Sequence, residues 1–75
     1  MKTLNQLRVN ETAIVTAIKA SEELKQRFFS FGLRRGTELK VKAFRVANST
    51  IEIEIGTMML ALRNEEAKAI EVSLI

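Results

Sequence analysis

The spacing of apolar residues changes twice along this chain, and the change restricts the folds that it can adopt. Residues 12–19 ("TAIVTAIK") form a short run rich in β-branched side chains, which is typical of a strand. In the following segment Leu24, Phe28 and Phe31 recur at positions i, i+4 and i+7 of one helical stripe. Beyond Gly36 the apolar residues alternate again. The pattern predicts one helix inserted between the first and second strands.

The two ends of this helix have their own sequence signals. Ser21 is a favourable N-cap residue, and the two glutamates after it lie where the positive end of the helix dipole favours carboxylates. Gly32 can adopt the left-handed conformation that follows a last helical turn, and Leu33 would then contact Phe28 in a Schellman motif. The sequence therefore predicts a helix that starts after Ser21 and stops at Gly32. We expect Phe28 and Phe31 to lie in the core.

The strands after Gly36 are predicted to form a strongly bent sheet. The first of them reverses its apolar phase near Ala43, which indicates a bulge or a sharp bend. Three more short strands are expected in "IEIEI", "MMLALR" and "IEVS". A mainly β chain of about five strands with one inserted helix is typical of a small barrel. With 75 residues and 47% hydrophobic content, residues 1–75 are predicted to form a single domain.

The first two strands after Gly36 are expected to pair as a hairpin. A two-residue turn at Asn48 and Ser49 would place Arg45 directly opposite Glu52. Opposite charges that face each other across two strands are favourable, and this agreement supports the register.

The chain contains neither histidine nor cysteine, which excludes several classes of site. Zinc and copper are usually held by imidazole or thiolate groups, and neither is present. A cysteine nucleophile, a Ser–His pair and a histidine general base are excluded as well. The adjacent Glu65 and Glu66 fit the first turn of a short helix better than a cation site. We therefore expect no enzyme activity, no cofactor and no metal site.

No segment of the sequence has the pattern of a membrane span or of a secretion signal. The longest uncharged run, residues 55–62, has eight residues, whereas a spanning helix needs about 20. The first twelve residues lack the apolar centre of a signal peptide. We expect the protein to be cytoplasmic.

Phe29 is the aromatic residue that the helical stripe does not explain. It lies about 140° around the helix from Leu24, at about 100° per residue, so the apolar face would not bury it. It could pack beneath a loop or contact a partner. Arg34 and Arg35 follow in the turn between two glycines, and an aromatic residue next to arginine is a composition that interfaces favour.

Met58 and Met59 are a second candidate for a contact surface. Adjacent residues of a strand face opposite sides, so we expect one methionine in the core and the other on the surface, where its flexible side chain would adapt to a partner. The candidate partner-binding residues predicted from the sequence are Phe29, Arg34, Arg35 and Met58.

Five basic residues lie close together in the sequence, and they allow a second interpretation. These are Arg34, Arg35, Lys40, Lys42 and Arg45. They could follow a phosphate backbone, or three of them could be the solvated face of a strand, partly matched by Glu52 and Glu54. No Tyr or Trp is present to stack on bases. Nucleic acid is therefore the less favoured partner.

The order of the motifs resembles the FeoA family of ferrous iron transport proteins, from about Leu4 to Val72. Beyond the opening "TLNQL", the matching segments are Arg27–Phe28, Phe31–Thr37, Leu60–Arg63, Glu66–Ala67 and Ile70–Val72. They correspond to the family's Arg-Leu pair, its Met-Gly-Leu-x-Pro-Gly-Thr turn, its Leu-Ala-Leu-Arg motif, an acid-Ala pair and Ile-x-Val. Arg35 stands where the family usually has proline, Glu11 where glycine is common, and "RVANSTI" is shorter than the usual Gly-Asp-Pro loop.

The resemblance implies an SH3-like barrel and a cytosolic role beside a FeoB-type ferrous iron transporter. The protein would bind and modulate this transporter, which has a cytosolic nucleotide-hydrolysing domain, and would reach the membrane only through it. The same barrel occurs in iron-dependent repressors, so fold alone does not decide the function. Two alternatives therefore stay open: a module that binds nucleic acid or ribosomes through the basic cluster, and a repressor-type regulatory domain that binds a peptide.

Overall fold

An antiparallel sheet and one nine-residue helix make up most of the computed structural model, which describes residues 2–47 and 49–75. Within these residues the strands are β1 (Lys2–Thr3), β2 (Thr12–Ile18), β3 (Glu38–Arg45), β4 (Thr50–Ile55), β5 (Met58–Arg63) and β6 (Ile70–Leu74). The helix α1 spans Glu22–Ser30, a single 3-10 turn spans Leu4–Gln6, and the short helix α2 spans Asn64–Ala67. The predicted class, mainly β with one inserted helix, is confirmed.

The strands are hydrogen-bonded in the order β1-β6-β2-β3-β4-β5. β1 and β5 are the two edges, and no pairing joins them in the described part of the chain, so the bent sheet does not close. The five longer strands agree with the sequence prediction. The two-residue β1, in which Lys2 pairs with Val72, was not predicted because so short a segment shows no alternation.

Helix α1 begins and ends where the sequence predicts. The hydroxyl of Ser21 accepts a hydrogen bond from the Leu24 N–H at 3.2 Å. At the other end the Leu33 N–H donates to the Phe28 carbonyl at 2.9 Å, and the Gly32 N–H donates to the Phe29 carbonyl at 3.0 Å. These two bonds define a Schellman motif, with Gly32 at a φ of +82°. Phe28 and Leu33 are both buried, so this end of the helix is anchored in the core.

Phe31 departs from its predicted position in the core. It is half-buried, whereas Phe28 is 1% exposed. Phe31 is the C-cap residue, with φ −93° and ψ 0°, and therefore lies beyond the last residue with helical geometry. The last residue of the buried apolar stripe is therefore Phe28, because α1 ends at Ser30 and Phe31 no longer follows the helical spacing.

The predicted irregularity in β3 is confirmed, but the predicted register of the hairpin is wrong. The pairing between β3 and β4 shifts between Val41 and Ala43. Beyond that shift Arg45 pairs with Thr50, and Glu52 pairs with Ala43. The Arg45 side chain still reaches Glu52 diagonally, with Nε 2.6 Å from Oε2.

The hairpin register differs because the connection between β3 and β4 is longer than two residues. Val46 and Ala47 follow β3 with positive φ values of 53° and 55°. Neither residue type favours this conformation, so the sequence carries no signal for a turn at that point. Of the predicted two-residue turn at Asn48 and Ser49, Asn48 lies outside the described residues, and the Ser49 N–H donates to the Val46 carbonyl at 3.0 Å.

Replacing Gly32 with alanine is expected to lower the free energy of unfolding by about 1–2 kcal/mol, because alanine is strained in the left-handed region. A Cβ atom at this position would meet no other atom within 4 Å, so the cost is confined to the backbone. The urea midpoint measures it. Gly32→Asn is the matched control and should cost less, since asparagine tolerates this conformation better. A Gly32→Ala midpoint equal to that of the parent protein would contradict the helix stop.

Candidate partner-binding groove

A groove of about 480 Å³ opens between β2, α1 and the turn that leads into β3. Its floor is formed by residues 16–18 of β2, and its walls carry Lys25 and Phe29 from α1 and Arg34 and Arg35 from the turn. Three of the four predicted partner-binding residues, Phe29, Arg34 and Arg35, therefore line one groove. The groove also contains residues that sequence reasoning did not select.

Phe29 faces this groove because it lies outside the apolar stripe of α1. It is 45% exposed, whereas its neighbour Phe28 is buried. Lys25 precedes Phe29 by one helical turn, so the two side chains share a face of α1. The i, i+4 spacing could have identified Lys25 from the sequence. Residues 16–18 had no such signal, because only the folded chain brings β2 next to α1.

The turn that carries the two arginines is held in place by Thr37. The hydroxyl of Thr37 accepts a hydrogen bond from the Arg34 N–H at 3.1 Å and donates to the Gly32 carbonyl at 2.9 Å. The turn is also bonded to β2, since the Gly36 N–H donates to the Val15 carbonyl at 2.8 Å and the Val15 N–H donates to the Thr37 carbonyl at 2.9 Å. The wall of the groove is therefore fixed relative to its floor.

The groove is positively charged. Lys25, Arg34 and Arg35 line it, and no carboxylate lines it among residues 2–47 and 49–75. Lys25 Nζ lies 3.9 Å from Glu22, a carboxylate that is almost fully exposed, so this pair is loose. Neither arginine forms an ion pair with a described residue. Three cations beside an apolar floor favour an anionic partner with apolar side chains.

Met58 lies outside this groove. It is 41% exposed at the start of β5, where it pairs with Ile55. Met59 is 51% exposed, so the prediction that one of the two methionines lies in the core is wrong. β5 is an edge strand, and the side chain that it buries is Leu62, near its other end. A role of Met58 in partner binding stays a prediction.

The basic cluster that suggested nucleic acid is divided in the folded protein. Arg34 and Arg35 belong to the groove, whereas Arg45 is paired with Glu52 and Lys40 lies opposite Glu54. The hydrogen bond to Glu52 and the charge of that carboxylate raise the pKa of Arg45. Acidic neighbours on β4 therefore interrupt the positive surface along β3.

Two residues of the family-like motifs form a structural contact away from the groove. Arg27 Nη1 lies 3.1 Å from Glu66 Oε2, which joins α1 to α2. The other carboxylate oxygen of Glu66 accepts a hydrogen bond from the Arg63 N–H at 2.9 Å, at the start of α2. We infer that Arg27 and Glu66 hold the two helices in position.

We predict that the protein alone does not bind ferrous iron tightly. Neither His nor Cys is present, and the described residues contain no group of three or more His, Cys, Asp or Glu that could hold a metal ion. Calorimetric titration with ferrous iron under anaerobic conditions is expected to give no one-to-one site of submicromolar affinity. Measurement of such a site would contradict the prediction.

None of the helices within residues 2–47 and 49–75 is long and apolar enough to span a membrane.

Comparison with known proteins gives consistent matches. The family model described as FeoA domain matches residues 2–74. A candidate Fe(2+) transport protein A of Campylobacter jejuni is 42% identical over 73 residues, which cover 97% of this chain and 99% of that protein. The solution structure of FeoA from Chlorobium tepidum has a TM-score of 0.92 and 32% identity, covering 99% of this chain and 70% of that chain.

A third match bears on the fold class. The crystal structure of Stenotrophomonas maltophilia FeoA complexed with zinc has a TM-score of 0.83 and 25% identity. The match covers 97% of this chain and 91% of that chain, which is described as a prokaryotic SH3 domain protein. The SH3-like fold predicted for this sequence is confirmed.

Proposed function

The chain belongs to the FeoA family, and from this premise we propose that it is an accessory protein of a ferrous iron transport system that binds and modulates a FeoB-type transporter. In this proposal the protein works in the cytoplasm and reaches the membrane only through the transporter's cytosolic nucleotide-hydrolysing domain. Its contribution is a binding surface, with no catalytic step of its own.

The observation that carries this proposal is the groove between β2 and α1. An aromatic side chain that is 45% exposed stands beside two arginines that form no ion pair with a described residue. Residues that dominate binding energy at protein interfaces are enriched in aromatic side chains and arginine and lie in preformed pockets. Because Thr37 holds the turn with Arg34 and Arg35, little ordering is required when a partner binds.

The test is co-purification with the FeoB-type transporter of the same organism, solubilised in detergent and loaded in turn with no nucleotide, GDP or a non-hydrolysable GTP analogue. We expect retention in at least one nucleotide state. The double variant Arg34→Glu, Arg35→Glu should abolish it, because reversed charges in the groove repel an anionic partner. Lys42→Glu changes a charge on β3 outside the groove and serves as the control. Absence of retention in every nucleotide state would exclude direct binding.

The nucleic-acid alternative is not proposed, because β4 places Glu52 and Glu54 beside the basic residues of β3. A continuous positive surface is what a phosphate backbone requires.

A further inference from the structure

We propose that the groove binds an extended acidic segment of the partner protein, which adds to the open side of β2 as an additional strand. The inference deepens the proposed function and rests on it, since the segment belongs to the same partner. Three features carry it: an unpaired side of β2 in the floor of the groove, three cations on its walls, and a buried hydroxyl without a hydrogen bond.

The first feature is the half-paired stretch of β2. β3 pairs with β2 only at residues 12–14, and the turn before β3 bonds Val15. β6 pairs with the other side of β2 as far as Ile18. Residues 16–18 therefore have a strand on one side and, in the described part of the chain, only the groove on the other. The backbone of a strand edge can hydrogen-bond an added peptide in extended conformation.

The length of this open side limits the contact. Three residues of a strand span about 10 Å, at about 3.3 Å per residue, so the edge matches a short segment of the partner. Helix α1 and the turn also line the groove, and only the part of an added strand next to residues 16–18 would hydrogen-bond to β2. A few backbone hydrogen bonds then fix the direction of the segment, and its side chains decide the specificity.

The second feature is the distribution of charge around an apolar floor. The backbone of an added strand would hydrogen-bond to the edge of β2, so its successive side chains would point to opposite faces of the sheet, one set of them beside Ile18 and Phe29. The other set would reach the three cations at the rim. Arginine binds carboxylates through two parallel hydrogen bonds, and the guanidinium groups of Arg34 and Arg35 have no carboxylate partner among the described residues. An alternation of acidic and apolar residues fits both sets.

Two acids near the groove oppose this attraction without cancelling it. Glu22 lies 3.9 Å from Lys25 and extends into solvent. Glu71 pairs with Ala17 from β6 but does not line the groove. The cations contributed by the turn lie on the other wall, so a carboxylate of the segment can approach Arg34 and Arg35.

The third feature is the hydroxyl of Thr16. Its oxygen is buried and has no hydrogen-bond partner in the described part of the chain. Thr16 lies where the pairing between β2 and β6 shifts, next to the open side of β2. Buried polar groups are nearly always hydrogen-bonded in folded proteins. A rotation of the Thr16 side chain about χ1 would bring this hydroxyl within reach of the backbone of a strand added at residues 16–18.

The test is an NMR titration of the full ¹⁵N-labelled chain with a blocked seven-residue peptide in which glutamate and valine alternate. We expect shifts centred on the amides of residues 16–18, with slower hydrogen exchange there. Affinity should fall at least tenfold for the same peptide with lysine in place of glutamate, and at least tenfold for the Arg34→Ala, Arg35→Ala double variant. Lys42→Ala is the matched control and should leave affinity unchanged.

Two further measurements separate a strand contact from a purely ionic one. N-methylation of the valines in one peptide, and of the glutamates in another, removes the backbone donors on one side of the strand at a time without changing charge, and one of the two peptides should bind at least tenfold more weakly than the parent peptide. Thr16→Val keeps the shape of the side chain, and should weaken binding severalfold while the melting temperature stays equal or rises. Equal affinity for the lysine peptide, shifts confined to the arginine amides, or no binding at millimolar peptide would each overturn the inference.

The transporter experiment and the peptide titration test the two proposals separately. If the transporter is retained through the groove but the acidic peptide does not bind, the proposed function stands and the inference about the segment is wrong. If the peptide binds at residues 16–18 but the transporter is not retained, the ligand chemistry of the groove is supported and the assignment of the transporter as the partner is wrong. Binding of RNA at the same residues in place of the peptide would overturn the inference.

Discussion

Phe28→Ala is expected to lower the free energy of unfolding by about 3–5 kcal/mol, the usual cost of truncating a buried phenylalanine. A 75-residue chain has a total stability of roughly 4–11 kcal/mol at about 0.05–0.15 kcal/mol per residue, so this loss removes between about a quarter and all of the stability. Phe28 is 1% exposed and packs in the same core cluster as Leu33 and Leu39. Urea denaturation followed by circular dichroism measures the loss.

Two variants make this result interpretable. Phe28→Leu keeps an apolar side chain and should lose about 1–2 kcal/mol, which leaves a measurable transition if the alanine variant does not fold. Phe29→Ala removes an aromatic ring of the same size from the next position, and should cost less than 1 kcal/mol because the ring is half in solvent. If Phe29→Ala unfolds as readily as Phe28→Ala, Phe29 belongs to the core and the groove surface does not exist.

Phe29→Ala is expected to weaken transporter binding by about ten- to thirtyfold, the effect of losing roughly 1.4–2 kcal/mol at an interface. The reason is the position of the ring in the groove, beside the two arginines. Arg34→Ala should act in the same direction. Affinity for the purified transporter, measured beside the melting curve of each variant, separates lost contact from lost folding.

Val9→Ala is the matched control for Phe29→Ala. Val9 is 46% exposed, close to the value for Phe29, but it lies in the turn before β2 and does not line the groove. Its replacement should change neither affinity nor stability appreciably. Met58→Ala shows whether the partner surface extends beyond the groove, and it is expected to lower the affinity for the transporter less than Phe29→Ala does. Equal affinities for the parent protein and Phe29→Ala would show that the partner binds elsewhere.

Arg35 gives the groove of this chain a cation at a position where FeoA-like sequences usually have proline. Gly36 after it has a φ of +92°, and Thr37 closes the turn through its hydroxyl, so the turn is held without proline. The substitution therefore changes the charge of the groove while a defined turn is kept. Arg35 therefore contributes part of the positive charge on which the proposed acidic segment depends.

The features that could be predicted from the sequence are those decided within a few residues. The Ser21 hydroxyl caps α1 by accepting a hydrogen bond from the N–H three residues later. Gly32 ends the helix because glycine alone adopts a positive φ without strain. The irregularity in β3 follows from a reversal of apolar phase near Ala43. The exposure of Phe29 follows from its angle on the helix. In each case the interacting groups are neighbours in the chain, and their geometry is set by local dihedral angles.

Tertiary structure decided everything that depends on which strands meet. The strand that pairs with the two-residue β1 lies some seventy residues away in the sequence. The register of β3 on β4 depends on a turn at Val46 and Ala47, and these residue types do not predict a turn. Met58 and Met59 are both exposed because β5 is an edge strand, and alternation does not tell an edge strand from a central one. The groove exists because β3 leaves β2 after Ile14 while α1 stays beside it. Such contacts between distant segments are fixed by the burial of a common core, so the spacing of apolar residues within one segment does not predict them.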